Sequence, residues 1–514
     1  MAVNSVPEAV PTPATASDSG HSTLKRGAIG LVGVVFMVVA FSAPITAMTG
    51  NLPVAVGFGN GLGAPAGFII ATIVLTVFSV GFVALARHIT AAGAFYTFVS
   101  RGWSKIPGFA AGVMSMVTYM TMEAGLIGIF AAFSNQAFSQ QLGIDLPWEV
   151  YAAVCLVVIA VLSHFDISVA AKVLGVVLVC EIAMLTLGAV ASLLHHPDGM
   201  SFASLNPANA FSTNGVAGGV IGLGLLMAFW SWVGFESTAI YGEESKDPRR
   251  IVPRATMIAV IGIGVFYTFV SWGVIVGNGP TKAVELASGS NPFDLLYSPA
   301  QQYLGTWAVT VFEWLVLGGS FACALAIHNS AARYLFAFGR DGLLWHRLGG
   351  AHHRHASPWV ASLTQSVFAA VLLVICAVSG SDPYAVLFVL VAILATLLLL
   401  IVQTMSSVST IVFFHVKKQH PETANWWRTL VAPLIGGAGM VFVIYLMASN
   451  MSAAAGAASG TLFFKAIPWM VIILWFGSMA LALVWRKTNP RRYARIGSTV
   501  FDDRPDELLP DDRA

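Results

Sequence analysis

Charged side chains are scarce in this sequence: Asp, Glu, Lys and Arg make up 10% of its 514 residues. A soluble domain carries about 25%. There are only four cysteines, Cys155, Cys180, Cys323 and Cys376, each inside an apolar run. They read as small core residues, which leaves no disulfide framework or redox site. No glycine-rich phosphate loop is present, which argues against ATP-driven pumping. His346, His352, His353 and His355 crowd one loop without a cysteine or acid at ligand spacing. That loop reads as solvated, so no metal and no cofactor is expected. The net charge of +2 is dispersed over loops, so no nucleic-acid partner is indicated. No nucleophile–base constellation and no soluble catalytic or sensory domain is visible. An enzyme or a sensor is therefore the weakest of the functional classes.

What the chain has in excess is apolar length. Its residues are 57% hydrophobic, arranged in runs of roughly 20, enough to cross about 30 Å of hydrocarbon as helices. The expected fold is an all-α integral membrane protein with twelve spans. Their centres lie near Phe41, Leu75, Tyr119, Leu156, Leu178, Phe229, Ile263, Leu317, Ala369, Leu397, Met440 and Ile473. Residues 1–24 read as a polar, disordered tail without a signal peptide, residues 25–487 as the membrane domain, and residues 488–514 as a second polar tail. Basic residues fall on alternate sides of the spans. One side holds Arg87, Arg101, Lys105, Lys172, Lys246, Arg249, Arg250, Arg254, Arg333, Arg340, Arg347, Arg354, Lys417, Lys418, Arg428 and the cluster from Arg486. The other holds only Lys282 and Lys465. By the positive-inside rule both termini are cytoplasmic and the protein sits in the cell membrane.

Two spans look interrupted. The first reads Ser42-Ala43-Pro44-Ile45-Thr46-Ala47-Met48-Thr49-Gly50-Asn51-Leu52-Pro53, and the sixth reads Trp230-Ser231-Trp232-Val233-Gly234-Phe235-Glu236. Proline removes a helical hydrogen bond and opposes the preceding turn. Segments one and six are five helices apart, which matches two inverted five-helix repeats (about 27–195 and 215–416) with two more helices over about 427–486. Paired broken helices at corresponding positions point to a transport site. Unwound peptide groups cannot face hydrocarbon and must face protein or a wet cavity. Half-helix N-termini attract a carboxylate and free carbonyls attract an ammonium, and an amino acid carries both.

At these residues the chain resembles the amino acid–polyamine–organocation superfamily of permeases. The likeness runs from about Gly27 to Arg486. It is carried by the aromatic-rich stretch Ala228 to Glu236, by the loop Gly242-Glu243-Glu244-Ser245-Lys246-Asp247-Pro248 to Arg254, and by Ala92-Gly93-Ala94-Phe95-Tyr96, which is similar to a short re-entrant helix. Many members carry Gly-Ser/Thr-Gly in broken segment one, whereas Thr46-Ala47-Met48 stand there here. The resemblance implies a substrate carboxylate on the backbone of Thr46, Ala47 and Met48, and an ammonium on the carbonyls of Trp230, Ser231 and Val233. It implies secondary transport of amino acids by alternating access, with polyamines or other amines as the alternative substrates.

Four acids lie within spans: Glu123, Glu181, Glu236 and Glu313. Intramembrane acids are costly and are functional candidates by default. Glu123 and Glu236 are expected to line the pocket, and Glu313 to sit near a helix end. Glu181 falls where proton-coupled relatives often place a lysine that touches segment one. It is the expected coupling residue, for H+ or as a ligand of Na+. Glu243 and Glu244 with Arg249, Arg250 and Arg254 offer a cytoplasmic gate. Gly218 and Gly222 have the spacing of a close helix contact. The orientation is testable by labelling. Cysteines placed at Gly289 and Ser381 react with an impermeant thiol reagent added outside sealed cells. One placed at Ser357 does not, and its labelling would invert the assignment.

Overall fold

The computed structural model describes residues 27, 29–91, 93–164, 167–196, 200–352 and 357–498. The distal tails, Lys25, Arg26, Ala92, His353, Arg354 and His355 lie outside the described residues, as does the side chain of Lys172. The described chain is helical, with no strands and one isolated bridge between Ile29 and Ser245. In chain order the elements used below are α1 (Leu31–Phe58), α2 (Gly61–Ala86), α3 (Phe95–Gly102), α4 (Lys105–Leu142) and α5 (Trp148–His164). There follow α6 (Ile167–His195), α7 (Ile221–Trp230), α8 (Ser237–Ile240), α9 (Pro248–Asn278) and α10 (Thr306–Arg340). The last are α11 (Trp359–Val378), α12 (Pro383–Val416), α13 (Trp426–Ser449), α14 (Leu462–Thr488) and α15 (Pro490–Ala494).

Ten helices among the described residues are long and apolar enough to cross a membrane, and α5 and α7 are shorter apolar helices. Each of the twelve expected centres falls in one of these twelve elements. The molecule's outer surface is apolar, as a lipid solvent requires. Val32, Val154, Val176, Val265 and Val378 point outward, and so does most of α14, including Trp469 and Ile473. Cys180 also points outward, although the sequence reading places it in the core; Cys155, Cys323 and Cys376 are buried. Hydrocarbon gives helices no hydrophobic reason to associate, so close packing has to hold them together. At Gly273 of α9 a Cβ would stand 2.8 Å from the Ala189 Cα of α6. Gly222 likewise lets α7 approach the Leu446 carbonyl of α13, while Gly218 lies in the loop before α7 and faces open space.

One end of the bundle is tied by buried charge. Glu244 receives two hydrogen bonds from Arg333, at 2.9 and 3.0 Å, and Glu243 receives two from Arg340, at 2.9 and 3.2 Å. The acids of the expected gate therefore pair with arginines of α10, while Arg250 pairs with Asp247. Ile29 bonds to the Glu244 carbonyl, so the chain enters the bundle at this same end. The C-terminal segment returns to it. Arg492 donates to the Leu343 carbonyl, Arg101 to the carbonyls of Gly497 and Ser498, and the Gly497 amide to Tyr96 Oη at 2.6 Å. The first residues of the expected polar tail are thus docked on α3 and on the turn after α10.

Removing one partner of a buried ion pair strands the other charge, at a cost of about 3–5 kcal/mol, whereas replacing both by apolar groups can be neutral. Arg333→Met is expected to lower the thermal midpoint in detergent sharply. Adding Glu244→Leu to it restores most of the loss. Additive losses in the double variant would show that the pair does not close this end as a unit.

Candidate substrate site

The two broken helices meet at mid-bundle. In α1 the first helical stretch ends at Ser42, and Ala43 takes a left-handed conformation with φ 41°. Pro44 then starts a new turn, because a proline at the first helical position loses no hydrogen bond it would otherwise make. A wide turn follows over Ala47–Asn51. The break therefore falls inside the stretch read as interrupted, just ahead of Thr46-Ala47-Met48. It orphans the carbonyls of Phe41 and Ser42. Cys323 Sγ donates to the first at 2.8 Å and Tyr267 Oη to the second at 2.7 Å.

In the partner helix, α7 ends at Trp230 and the chain turns through Ser231–Glu236 before α8. Gly234 has φ 113°, and a Cβ there would lie 2.0 Å from Cδ1 of Phe41. Only glycine both adopts this φ and lets the Phe41 ring cover the turn. Asn51 Nδ2 donates to Ser231 Oγ at 2.9 Å and so joins the two breaks.

Between the breaks lies a small cavity of about 30 Å³, lined by Phe41, Ser42, Ala43, Thr46, Ala47, Asn51, Met122, Leu126, Trp230, Ser231, Val233, Cys323, Ile327 and Phe388. That is room for about one water. Five of the expected binding residues are brought together here: Thr46, Ala47, Trp230, Ser231 and Val233. Met48 is fully buried outside the lining. The Ala47 amide is already bonded to the Ala43 carbonyl, and the Trp230 carbonyl accepts from the Val233 amide. The carbonyls of Ser231 and Val233 accept none of the turn's backbone hydrogen bonds. Thr46 Oγ1 and Asn51 Oδ1 are buried and make no hydrogen bond among the described residues.

None of the acids lines this cavity. Glu123 belongs instead to a fully buried cluster between α4, α10 and α11. Both its oxygens lie 3.0 Å from Nδ1 of His328, Gln365 donates to it at 2.6 Å, and His328 Nε2 lies 2.7 Å from Ser362 Oγ. Glu236 accepts from Tyr119 Oη at 2.5 Å and from the Gly234 amide at 3.2 Å, so it fixes the turn of the second break to α4. Glu313 lies near the start of α10 and accepts from Gln141 at 2.6 Å. Glu181 reaches broken α1 directly. Its carboxyl accepts a hydrogen bond from the Ile45 backbone and packs against Gly319, where any Cβ would stand 2.6 Å from its Oε1. The carboxylate therefore faces the N-terminus of the half-helix that starts at Pro44, the end that favours negative charge.

Sequence reading missed Asn51, Cys323, Phe388 and the partners Tyr119, Tyr267 and His328. Asn51 carried a signal, as an amide in an apolar span. Nothing in the sequence ties His328 to Glu123, 205 positions away. Among the described residues no group of three or more His, Cys, Asp or Glu is placed to hold a metal ion.

Residues 29–476 match a family model described as "Amino acid permease". The chain is 24% identical over 458 residues to the branched-chain amino acid permease BcaP of Bacillus subtilis, covering 84% of this chain and 90% of that protein. It is 22% identical to the low-affinity putrescine importer PlaP of Escherichia coli, covering 62% and 68%. It is 25% identical to the aromatic amino acid transport protein AroP of Escherichia coli, covering 49% and 53%.

The geometry at the second break predicts a steric and a torsional cost. Gly234→Ala adds the clash with Phe41 and strain from positive φ, together roughly 2–4 kcal/mol. Phe41→Ala in the same chain relieves the clash but not the strain. The double variant is therefore expected to melt between wild type and Gly234→Ala, after allowance for Phe41→Ala alone. Full additivity of the two losses would count against the contact.

Proposed function

The chain belongs to the amino acid permease family and is a multi-pass membrane transporter of amino acids or amines, and we propose that its substrates are amino acids with apolar side chains, carried by alternating access. The lining of the cavity carries this reading. Met122, Leu126, Val233, Ile327 and Phe388 offer a substrate side chain only apolar surface, and no carboxylate lines the site to hold a second ammonium. The unpaired Thr46 hydroxyl and the first-turn amide of Thr46 would receive the carboxylate. The carbonyls of Ser231 and Val233, with Asn51 Oδ1, would receive the ammonium. Similarity to BcaP agrees with this choice, while similarity to PlaP favours an amine, for which the lining offers no anionic partner.

A cavity of about 30 Å³ is too small for such a solute, so loading requires the two broken helices to separate. Both termini are cytoplasmic in this proposal, and the pairs Glu244–Arg333 and Glu243–Arg340 close the cytoplasmic path. Glu181 couples the cycle to a proton. Its carboxylate holds the Pro44 half-helix through the Ile45 amide and the helix dipole, and a proton on that carboxylate removes the attraction and frees the segment to move.

Purified protein in liposomes, offered radiolabelled leucine, valine, phenylalanine, lysine and putrescine, is expected to take up the apolar amino acids. Preference for putrescine would replace the amino-acid reading. Glu181→Gln keeps the shape of the protonated acid but releases no proton. It is expected to abolish accumulation driven by an imposed proton gradient while retaining exchange. Wild-type accumulation that requires sodium and ignores the proton gradient would make Glu181 a sodium ligand instead.

A further inference from the structure

A second cavity, of about 360 Å³, lies at the end of the bundle where both described ends of the chain meet, between α2, α9, the end of α12 and the start of α13. Its walls are Val80, Val83, Ala84, Met257 and Phe414, and its rim carries Arg87, His88, Thr423, Arg428 and Thr429. Apolar walls under a cationic rim match a molecule with one apolar end and one anionic end.

The rim is positive. Arg87 and Arg428 are exposed, and neither forms an ion pair among the described residues. Burial, with His420, Arg249 and Arg87 adding, holds the pKa of His88 down to about 4, so it is neutral at pH 7. His88 stacks on His420 at 4.1 Å, and its Nε2 lies 3.0 Å from Thr423 Oγ1. Glu422, the acid that acts on His88, is hydrogen-bonded to His420 at 3.0 Å. The rim also adjoins two exposed tryptophans. Trp426 and Trp427, immediately before Arg428, are 69% and 44% exposed, and exposed tryptophans gather at the membrane interface.

We propose that this cavity binds an anionic phospholipid, with its phosphate between Arg87 and Arg428 and an acyl chain along Val80, Val83, Met257 and Phe414. Basic pockets between spanning helices are suited to such headgroups. The lipid would bridge α2 and α9, which pack along each other, to α13. The inference rests on the orientation proposed above only for the leaflet that supplies the lipid.

The test is competition between phosphatidylglycerol and phosphatidylcholine for purified full-length protein, read by native mass spectrometry. Wild type is expected to retain phosphatidylglycerol preferentially. Each arginine near the surface contributes about fivefold, so Arg87→Gln with Arg428→Gln lowers that preference roughly thirtyfold. Arg87→Lys with Arg428→Lys keeps most of it. Ala84→Phe fills the cavity, leaves the charges in place and lowers retention of phosphatidylglycerol. Equal retention of both lipids by wild type, or an unchanged preference in the Gln pair or in Ala84→Phe, would overturn the proposal. So would displacement of the lipid by millimolar inorganic phosphate, which would mark a site for a free anion. The labelling experiment that fixes orientation reads out separately from lipid binding.

Discussion

A peptide group left bare in hydrocarbon costs several kcal/mol, and the centre of this protein is organised around meeting that cost. The two breaks free backbone groups at mid-bundle, and several of them find side-chain partners. Tyr267 and Cys323 take the carbonyls that end the first half of α1. Glu181 takes an amide that begins its second half. Glu236 takes the Gly234 amide within the second break. Of the polar side-chain atoms left without a partner, Thr46 Oγ1 and Asn51 Oδ1 belong to residues that line one small cavity. In the function proposed above, a zwitterion would use the oxygens left unpaired there.

The buried acids divide their work accordingly. Glu236 and Glu181 hold backbone at the breaks, each through a hydrogen bond to a main-chain amide. Glu123 makes no backbone contact of that kind and instead clamps α4 to α10 and α11 through His328 and Gln365. Glu243 and Glu244 tie one end of the bundle to α10 through bidentate arginine pairs. Charge-assisted bonds of this kind are stronger than neutral ones and geometrically selective. They suit places where helices must hold a definite relation, at a closed end or at a broken turn.

The cavity's size and lining have different causes. Its size follows from the Phe41 ring lying on Gly234 and from the link between Asn51 and Ser231, which draw the broken helices together. Its apolar walls come from Met122, Leu126, Ile327 and Phe388 on three other helices. In the transport cycle proposed above, movement of the broken segments would change the volume while the apolar walls stay on α4, α10 and α12.

Runs of apolar residues and the two interruptions at Pro44 and Gly234 were legible in the sequence, because each is a local property of the chain. Spans need length, and breaks need proline, glycine or a polar side chain in the wrong solvent. The aromatic Gly-Phe-acid stretch was legible for the same reason and pointed to the permease family that the chain matches. The acids inside the membrane were also plain, since hydrocarbon makes any ionisable residue conspicuous. Their partners were not. Whether Glu123 faces a cavity or His328 depends on how α4 rotates against α10, and a helix of near-uniform hydrophobicity does not encode its own rotation. Glu243 and Glu244 pair with arginines of α10, far from them in sequence, because packing brings α10 within reach. The tertiary structure alone decided which polar groups were satisfied and which were left to face the cavity.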